Sequence, residues 1–209
     1  MRSLSATTAI VAITVVVSLL VSVAPNTLEI QYLAGFLPAR LTGGVAMPAA
    51  WTVPALLTPL SSTLIHAGFF HLGMNMLMLG YTGREAERAL GGKGLITLYL
   101  IGAYAAAATQ WLADPMSTAP MIGASGATSA VVGAYSLLFG RQRAKAIGPI
   151  PAPVVHIAWL AAAWIGLNLL MGFAFVQGGV DVAIWAHIGG FLVGLALARP
   201  LLLWRWRHA

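Results

Sequence analysis

Six apolar runs limit what this chain can fold into. They cover about residues 6–24, 64–82, 95–113, 124–140, 154–176 and 182–204, and several approach the ~20 residues a helix needs to cross a bilayer. A soluble domain carries about 25% charged residues, whereas here 8% are charged and 59% hydrophobic. A very apolar soluble core does not account for runs of that length. Backbone polar groups must be paired inside a membrane, so the runs are expected to be helices. The expected fold is an all-α membrane protein, a polytopic bundle of six transmembrane helices in one domain over residues 1–209. Turn-forming stretches such as Gly91-Gly92-Lys93-Gly94 and Pro149-Ile-Pro-Ala-Pro153 separate the runs. The fourth run is short and rich in Gly, Ala and Ser, which suits a bundle centre better than a lipid-facing wall.

Charge sets the orientation. Arg2 precedes the first run. Arg84, Arg88 and Lys93 lie between the second and third, Arg141, Arg143 and Lys145 follow the fourth, and Arg199, Arg205 and Arg207 close the chain. Only Arg40 falls on the other side, so the positive-inside rule puts both termini in the cytoplasm. The net charge of +6 comes from these short clusters rather than a continuous basic stripe, so nucleic acid is not an expected partner. Ser22-Val23-Ala24 resembles a leader-cleavage site, but Pro25 follows directly, and an uncleaved first span is expected. Residues 25–63 are then external. With Pro25, Pro38, Pro48, Pro54, Pro59 and Trp51 they are expected to form a structured loop rather than a seventh span. The absence of cysteine excludes disulfide and thiolate chemistry.

In this topology the second, fourth and sixth runs all descend from the external face. Each carries a polar residue near its start: His71, Ser125 and His187. Buried polar groups in spans are costly and face a bundle interior or a wet cavity. His71 and Asn75 are four apart on one helix face and can supply oxyanion-hole donors, or can simply bond between helices. His66 is expected to be structural, anchoring the loop. His187 lies three residues before Gly190, and Gly190 and Gly194 form a small-residue stripe. That stripe serves dimerisation, plain packing, or contact with Gly126, Ala130, Gly133 and Ala134, in which case His187 reaches Ser125.

A serine hydroxyl needs a base to take its proton, and histidine titrates near neutrality. The acids are Glu29, Glu85, Glu87, Asp114 and Asp181, none of them mid-span on the outer side. A Ser125–His187 dyad is therefore expected, with helix packing orienting the imidazole. His156 and Asn168 in the fifth run are read as packing polar groups. Neither a metal nor another cofactor is expected: there is no His-Glu-x-x-His and no external in-span carboxylate to complete a zinc set with His66 and His71.

Three segments, His71-Leu-Gly-Met-Asn75, Gly123-Ala-Ser125-Gly126 and Ala186-His187-Ile-Gly-Gly190, in this order on runs two, four and six, resemble the rhomboid family of intramembrane serine proteases. The likeness extends from about His66 to Gly194. It implies Ser125 as nucleophile, His187 as general base, and His71, Asn75 and the Ser125 N–H as the oxyanion hole. Glu87, before Arg88-Ala-Leu-Gly91, matches a glutamate with a structural role, and Gly123, Gly126, Gly190 and Gly194 are supporting positions. Implied substrates are transmembrane proteins cut at or near small residues where the helix unwinds. The implied setting is a bacterial cytoplasmic membrane, the site opening outward. Many relatives carry an aromatic residue four after the serine, against which the histidine stacks; here it is Ser129, and Trp185 or Tyr135 are the candidates for replacing it. The loop has Leu57-Thr58 where relatives carry Trp-Arg. The alternative within the family is a catalytically silent protein that binds membrane helices. A transporter or channel is disfavoured because the inner halves of the runs carry almost no ionisable residues.

Overall fold

The computed structural model describes residues 5–47, 52–141, 144–177 and 182–207. Arg2, Pro48, Trp51, Arg143 and Asp181, which entered the reading above, lie outside them. The helices are α1 (Ala6–Ser22), α2 (Thr27–Ala34), α3 (Pro38–Leu41), α4 (Thr58–Ser61), α5 (Phe69–Ala113), α6 (Ser125–Phe139), α7 (Ala152–Gln177) and α8 (Ile184–Trp206). No strand longer than an isolated bridge occurs among the described residues. The six apolar runs fall on α1, two arms of α5, α6, α7 and α8. By length and composition α5, α7 and α8 can each cross a membrane; α1 and α6 are apolar but shorter, at 17 and 15 residues.

The second and third runs belong to one 45-residue helical stretch, broken at Gly91 (φ 75°, ψ 164°). A straight helix of that length would measure about 68 Å, more than twice the hydrocarbon thickness. Gly91 adopts a left-handed φ that a side chain disfavours, and there the helix turns back. The two arms lie side by side along α6. His71, near the start of α5, lies against Gly123, while Ala106, near its end, lies against Gly126. Leu79, Leu90, Leu95 and Leu98 from both arms share one buried cluster with Ala127, Ala130 and Val131 of α6. The second run starts as a helix later than expected. Ser62–Leu64 form a 3-10 turn and α5 begins only at Phe69, because residues 62–66 tie down the segment before α6.

α6 is the central element: every residue from Gly126 to Ala134 is buried. The largest interfaces join α6 to α8, α5 to α6 and α5 to α8. Lipid tails are as apolar as leucine, so helices in a bilayer gain little from apolar burial and associate by close packing. Here glycines permit that approach. A methyl group on Gly190 would meet the carbonyl oxygen of Gly126, one on Gly194 that of Ala130, and one on Gly133 that of Phe191. The expected stripe thus packs on α6.

α1 docks on α5 and on the turn before it through a face of small polar residues, Thr7, Thr14 and Ser18, all buried. Its N-terminus is capped from α5. The Glu87 carboxylate accepts the N–H of Ala6 at 2.7 Å, the N–H of Thr7 at 2.9 Å and the Thr7 hydroxyl at 2.6 Å. These are otherwise unpaired first-turn donors. The described residues of the loop after α1, 25–47 and 52–63, pack against the segment before α6. Phe36 and Met121 exchange backbone bonds of 3.0 and 2.8 Å, Ala39 N–H donates to Ser117, and Leu33, Phe36, Leu37 and Ala39 are buried.

The glycine contacts make a prediction of opposite signs. Gly194→Ala puts a methyl into the α6 backbone and lowers stability by about 1–3 kcal/mol. Gly166→Ala, on α7 with open space around it, is neutral or stabilising by up to about 1 kcal/mol. Thermal unfolding in detergent measures both, and equal losses would remove the packing argument.

Candidate active site

Ser125 is the first residue of α6, and the two residues before it are held from outside the helix. Gly123 has φ 115°, and its N–H donates to the Ser62 carbonyl at 2.9 Å. The Ala124 N–H donates to His66 Nε2 at 3.2 Å. Helix geometry starts at Ser125, so its N–H and those that follow in the first turn have no preceding-turn carbonyl and carry the positive end of the helix dipole. The Ser125 side chain is half-buried, with Ala124 and Gly126 fully buried on either side.

His187 lies in the first turn of α8. Its Nε2 is 2.8 Å from Ser125 Oγ. The register follows from the glycines: Gly190 sits on the Gly126 carbonyl, so the imidazole one turn earlier falls beside the serine one residue before Gly126. The structure thus brings together two residues 62 positions apart in the chain.

His71, on α5, lies beside Gly123, and Asn75 is one turn further along the same helix. Asn75 is buried, and its Nδ2 donates to the His71 carbonyl at 2.9 Å, leaving its second amide hydrogen for another acceptor. His71 Nδ1 accepts a long bond of 3.4 Å from the Ala67 N–H. In a neutral ring that assigns the proton to Nε2. A methyl on Gly123 would lie 2.8 Å from His71 Nε2 and 3.8 Å from Ser125 Oγ. Glycine at 123 is therefore what lets the imidazole lie beside the approach to the serine.

His66 is buried and structural in its contacts. Besides accepting from Ala124, its ring packs edge-on against His71 at 4.9 Å, and its Nδ1 lies 2.9 Å from Ser18 Oγ. Ser18 Oγ also reaches the Leu64 carbonyl at 2.8 Å. Since Nε2 accepts, Nδ1 carries the proton, and α1 is linked through one imidazole to the residue before Ser125.

Two contacts were missed in sequence. Asn168 Oδ1 lies 2.8 Å from His187 Nδ1, and Trp164 Nε1 donates to the His187 carbonyl at 3.2 Å. The sequence reads Asn168 as a packing polar group and has helix packing orient the imidazole; the structure adds that the packing of α7 brings the Asn168 amide directly onto the ring. The available signal was a lone amide four residues after a tryptophan in an apolar run. Trp185 is half-exposed and Tyr135 stacks on Phe139 at 5.3 Å, and among the described residues neither ring makes a ring contact with His187. Ser129 Oγ donates to the Ser125 carbonyl at 2.8 Å. His156 lies near Gly140, at the far end of α6, about 20 Å from Ser125 at 1.5 Å per residue. Among the described residues no group of three or more His, Cys, Asp or Glu side chains could hold a metal ion.

Long apolar helices closed around a half-buried polar centre define an integral membrane protein of the all-helical class. The model of the Rhomboid domain family matches residues 53–204, which include Ser125, His187, His71 and Asn75. This chain is 33% identical over 153 residues to Rhomboid protein 1, mitochondrial, of Saccharomyces cerevisiae, covering 68% of this chain and 41% of that protein. It is 28% identical over 151 residues to Rhomboid protease GlpG of Serratia proteamaculans, covering 71% and 48%. It is 30% identical over 147 residues to Rhomboid protease GluP of Bacillus subtilis, covering 69% and 26%. The chain belongs to the rhomboid family. It spans less than half the length of these three relatives.

The His66 tie yields a prediction. His66→Leu strands the buried Ala124 N–H, which costs about 1–3 kcal/mol. Thermal unfolding in detergent should show that loss, with faster amide exchange at Ala124. Unchanged exchange there would mean that His66 does not hold the segment.

Proposed function

We propose that this protein is an intramembrane serine endopeptidase that cleaves transmembrane protein substrates within or near the bilayer. The observation that carries the reading is the 2.8 Å contact between Ser125 Oγ and His187 Nε2 at the start of two packed helices. In this reading Ser125 is the nucleophile and His187 the general base. The hydroxyl proton passes to Nε2 as Oγ attacks the scissile carbonyl carbon. The oxyanion that forms is met by the Ser125 N–H, the His71 Nε2–H and the free Asn75 amide hydrogen. His187 then returns its proton to the leaving amine, and water repeats the sequence on the acyl-enzyme. Gly123, Gly126, Gly190 and Gly194 support the approach of the parts, and His66 and Glu87 hold the surrounding frame.

The topology belongs to the same proposal. Six spans are formed by α1, the two arms of α5, α6, α7 and α8, with both termini cytoplasmic. The uneven distribution of Lys and Arg supports this orientation, which opens the site to the external side of a bacterial cytoplasmic membrane. Relatives named as proteases in Serratia and Bacillus support that setting. A peptide bond inside a helix is shielded from attack, so a substrate must unwind locally, which favours small residues at the cleavage site. A catalytically silent helix-binding protein is the less favoured reading, since the Ser125–His187 pair is intact.

The test is cleavage of a model transmembrane substrate by purified protein in detergent. Ser125→Ala and His187→Ala should abolish cleavage and fluorophosphonate labelling, while His156→Ala should retain both. His71→Ala and Asn75→Ala should each lower kcat by about 10- to 1,000-fold. Cleavage surviving Ser125→Ala would sink the mechanism.

A further inference from the structure

We propose that Asn168 is a positioning residue that fixes which nitrogen of His187 carries the proton, an assignment that rests on the protease reading above. Asn168 is 4% exposed, and from Ile157 to Met171 it is accompanied only by apolar residues, glycine and two tryptophans. An amide side chain has two orientations, and hydrogen bonding decides between them. Here the Trp164 carbonyl decides. It can only accept, and it lies 3.0 Å from Asn168 Nδ2, so Oδ1 necessarily faces His187. The amide oxygen can likewise only accept, and at 2.8 Å it requires a proton on His187 Nδ1. A neutral imidazole protonated at Nδ1 leaves the Nε2 lone pair free, and that pair faces the Ser125 hydroxyl at 2.8 Å. A backbone carbonyl in α7 thus fixes the amide, the amide fixes the tautomer, and the tautomer makes Nε2 the base.

The same turn of α7 also holds the backbone of His187. Trp164, four residues before Asn168 and on the same face, donates from Nε1 to the His187 carbonyl at 3.2 Å. Its ring stacks on Phe191 at 4.7 Å and 8°. These contacts are specific rather than a by-product of general burial. Only 11% of the most apolar stretch of α7 is buried, against 50% for that of α8. Ser129 on α6 is committed to the Ser125 carbonyl. A neutral acceptor orients the ring without placing an ionised carboxylate among apolar helices, where an unpaired charge is costly.

The experiment compares wild type with Asn168→Leu, Asn168→Ala and Asn168→Asp in the purified full chain, using a model transmembrane substrate. Leu and Ala remove the acceptor and should lower kcat about 10- to 1,000-fold, with KM within about twofold if only positioning is lost. Asp keeps an acceptor and should lie at least about tenfold closer to wild type. The ¹⁵N spectrum of His187 should show a neutral ring protonated at Nδ1 in wild type and a mixture of tautomers in Asn168→Leu. The proposal is overturned if kcat of Asn168→Leu stays within about twofold of wild type, or if Leu and Asp lose activity equally. Should neither apolar variant fold, the wild-type spectrum decides, and an Nε2-protonated neutral ring overturns the proposal. The spectrum does not depend on turnover. Activity that survives Ser125→Ala would therefore remove the protease reading while leaving the Asn168–His187 contact separately tested.

Discussion

The backbone-to-backbone approach of α8 to α6 is the constraint on which the rest depends. Two helices in lipid have no solvent to escape, so association must come from contacts that lipid cannot match. Gly190 and Gly194 of α8 sit on the carbonyls of Gly126 and Ala130, and Gly133 of α6 sits on that of Phe191. With no glycine side chain at these three points, the register of the helices is set by backbone contact. That register sets where His187 falls relative to Ser125. A rotation or slide large enough to admit a methyl at Gly190 would move the imidazole as well, so packing and site geometry are one property of these helices.

A second constraint is needed because helix packing fixes only one side of Ser125. The segment before it is not helical, and irregular backbone within a membrane protein must find partners in protein. It does so residue by residue: Met121 with Phe36, Gly123 with the Ser62 carbonyl, Ala124 with His66. The loop after α1 therefore serves as the wall that supplies those partners. This also explains the late start of α5. Residues 62–66 could not both continue the helix and offer a carbonyl and an imidazole sideways to residues 123 and 124.

Some of this was legible in sequence for identifiable reasons. The apolar runs, the placement of Ser125, His71 and His187 near the starts of three of them, and the Gly190/Gly194 stripe all follow from spacing along single helices. The docking of that stripe on α6 was one of three uses that spacing left open, suggested by the small residues at Gly126, Ala130, Gly133 and Ala134. What spacing does not carry is the rotation of a helix that is apolar all round. α7 gives no periodic signal of which face turns inward, so Asn168 looked like any amide tolerated in a bundle, and Trp164 could not be told from Trp159. The turn at Gly91 was marked by its glycines, but the continuation of helical geometry on both sides of it was not. Ser129 correctly removed one means of holding the histidine, and the replacement came from a helix that the serine's own neighbours could not reveal.

The three imidazoles around Ser125 show what fixed partners achieve in a place with few charges. Each has one ring nitrogen tied to a group whose role cannot change. His66 Nε2 accepts a backbone N–H, His71 Nδ1 accepts a backbone N–H, and His187 Nδ1 faces an amide oxygen. The free nitrogens are thereby given opposite characters: His71 offers a donor at Nε2, and His187 offers an acceptor at Nε2. The proposed acyl transfer would use that pairing, a donor where negative charge develops on the carbonyl oxygen and an acceptor where the hydroxyl loses its proton. Two chemically identical side chains can serve these roles only if their tautomers are held apart. Here the bonds that hold them apart come from the Ala67 backbone N–H and from one amide on α7, so the asymmetry requires no carboxylate among the spans.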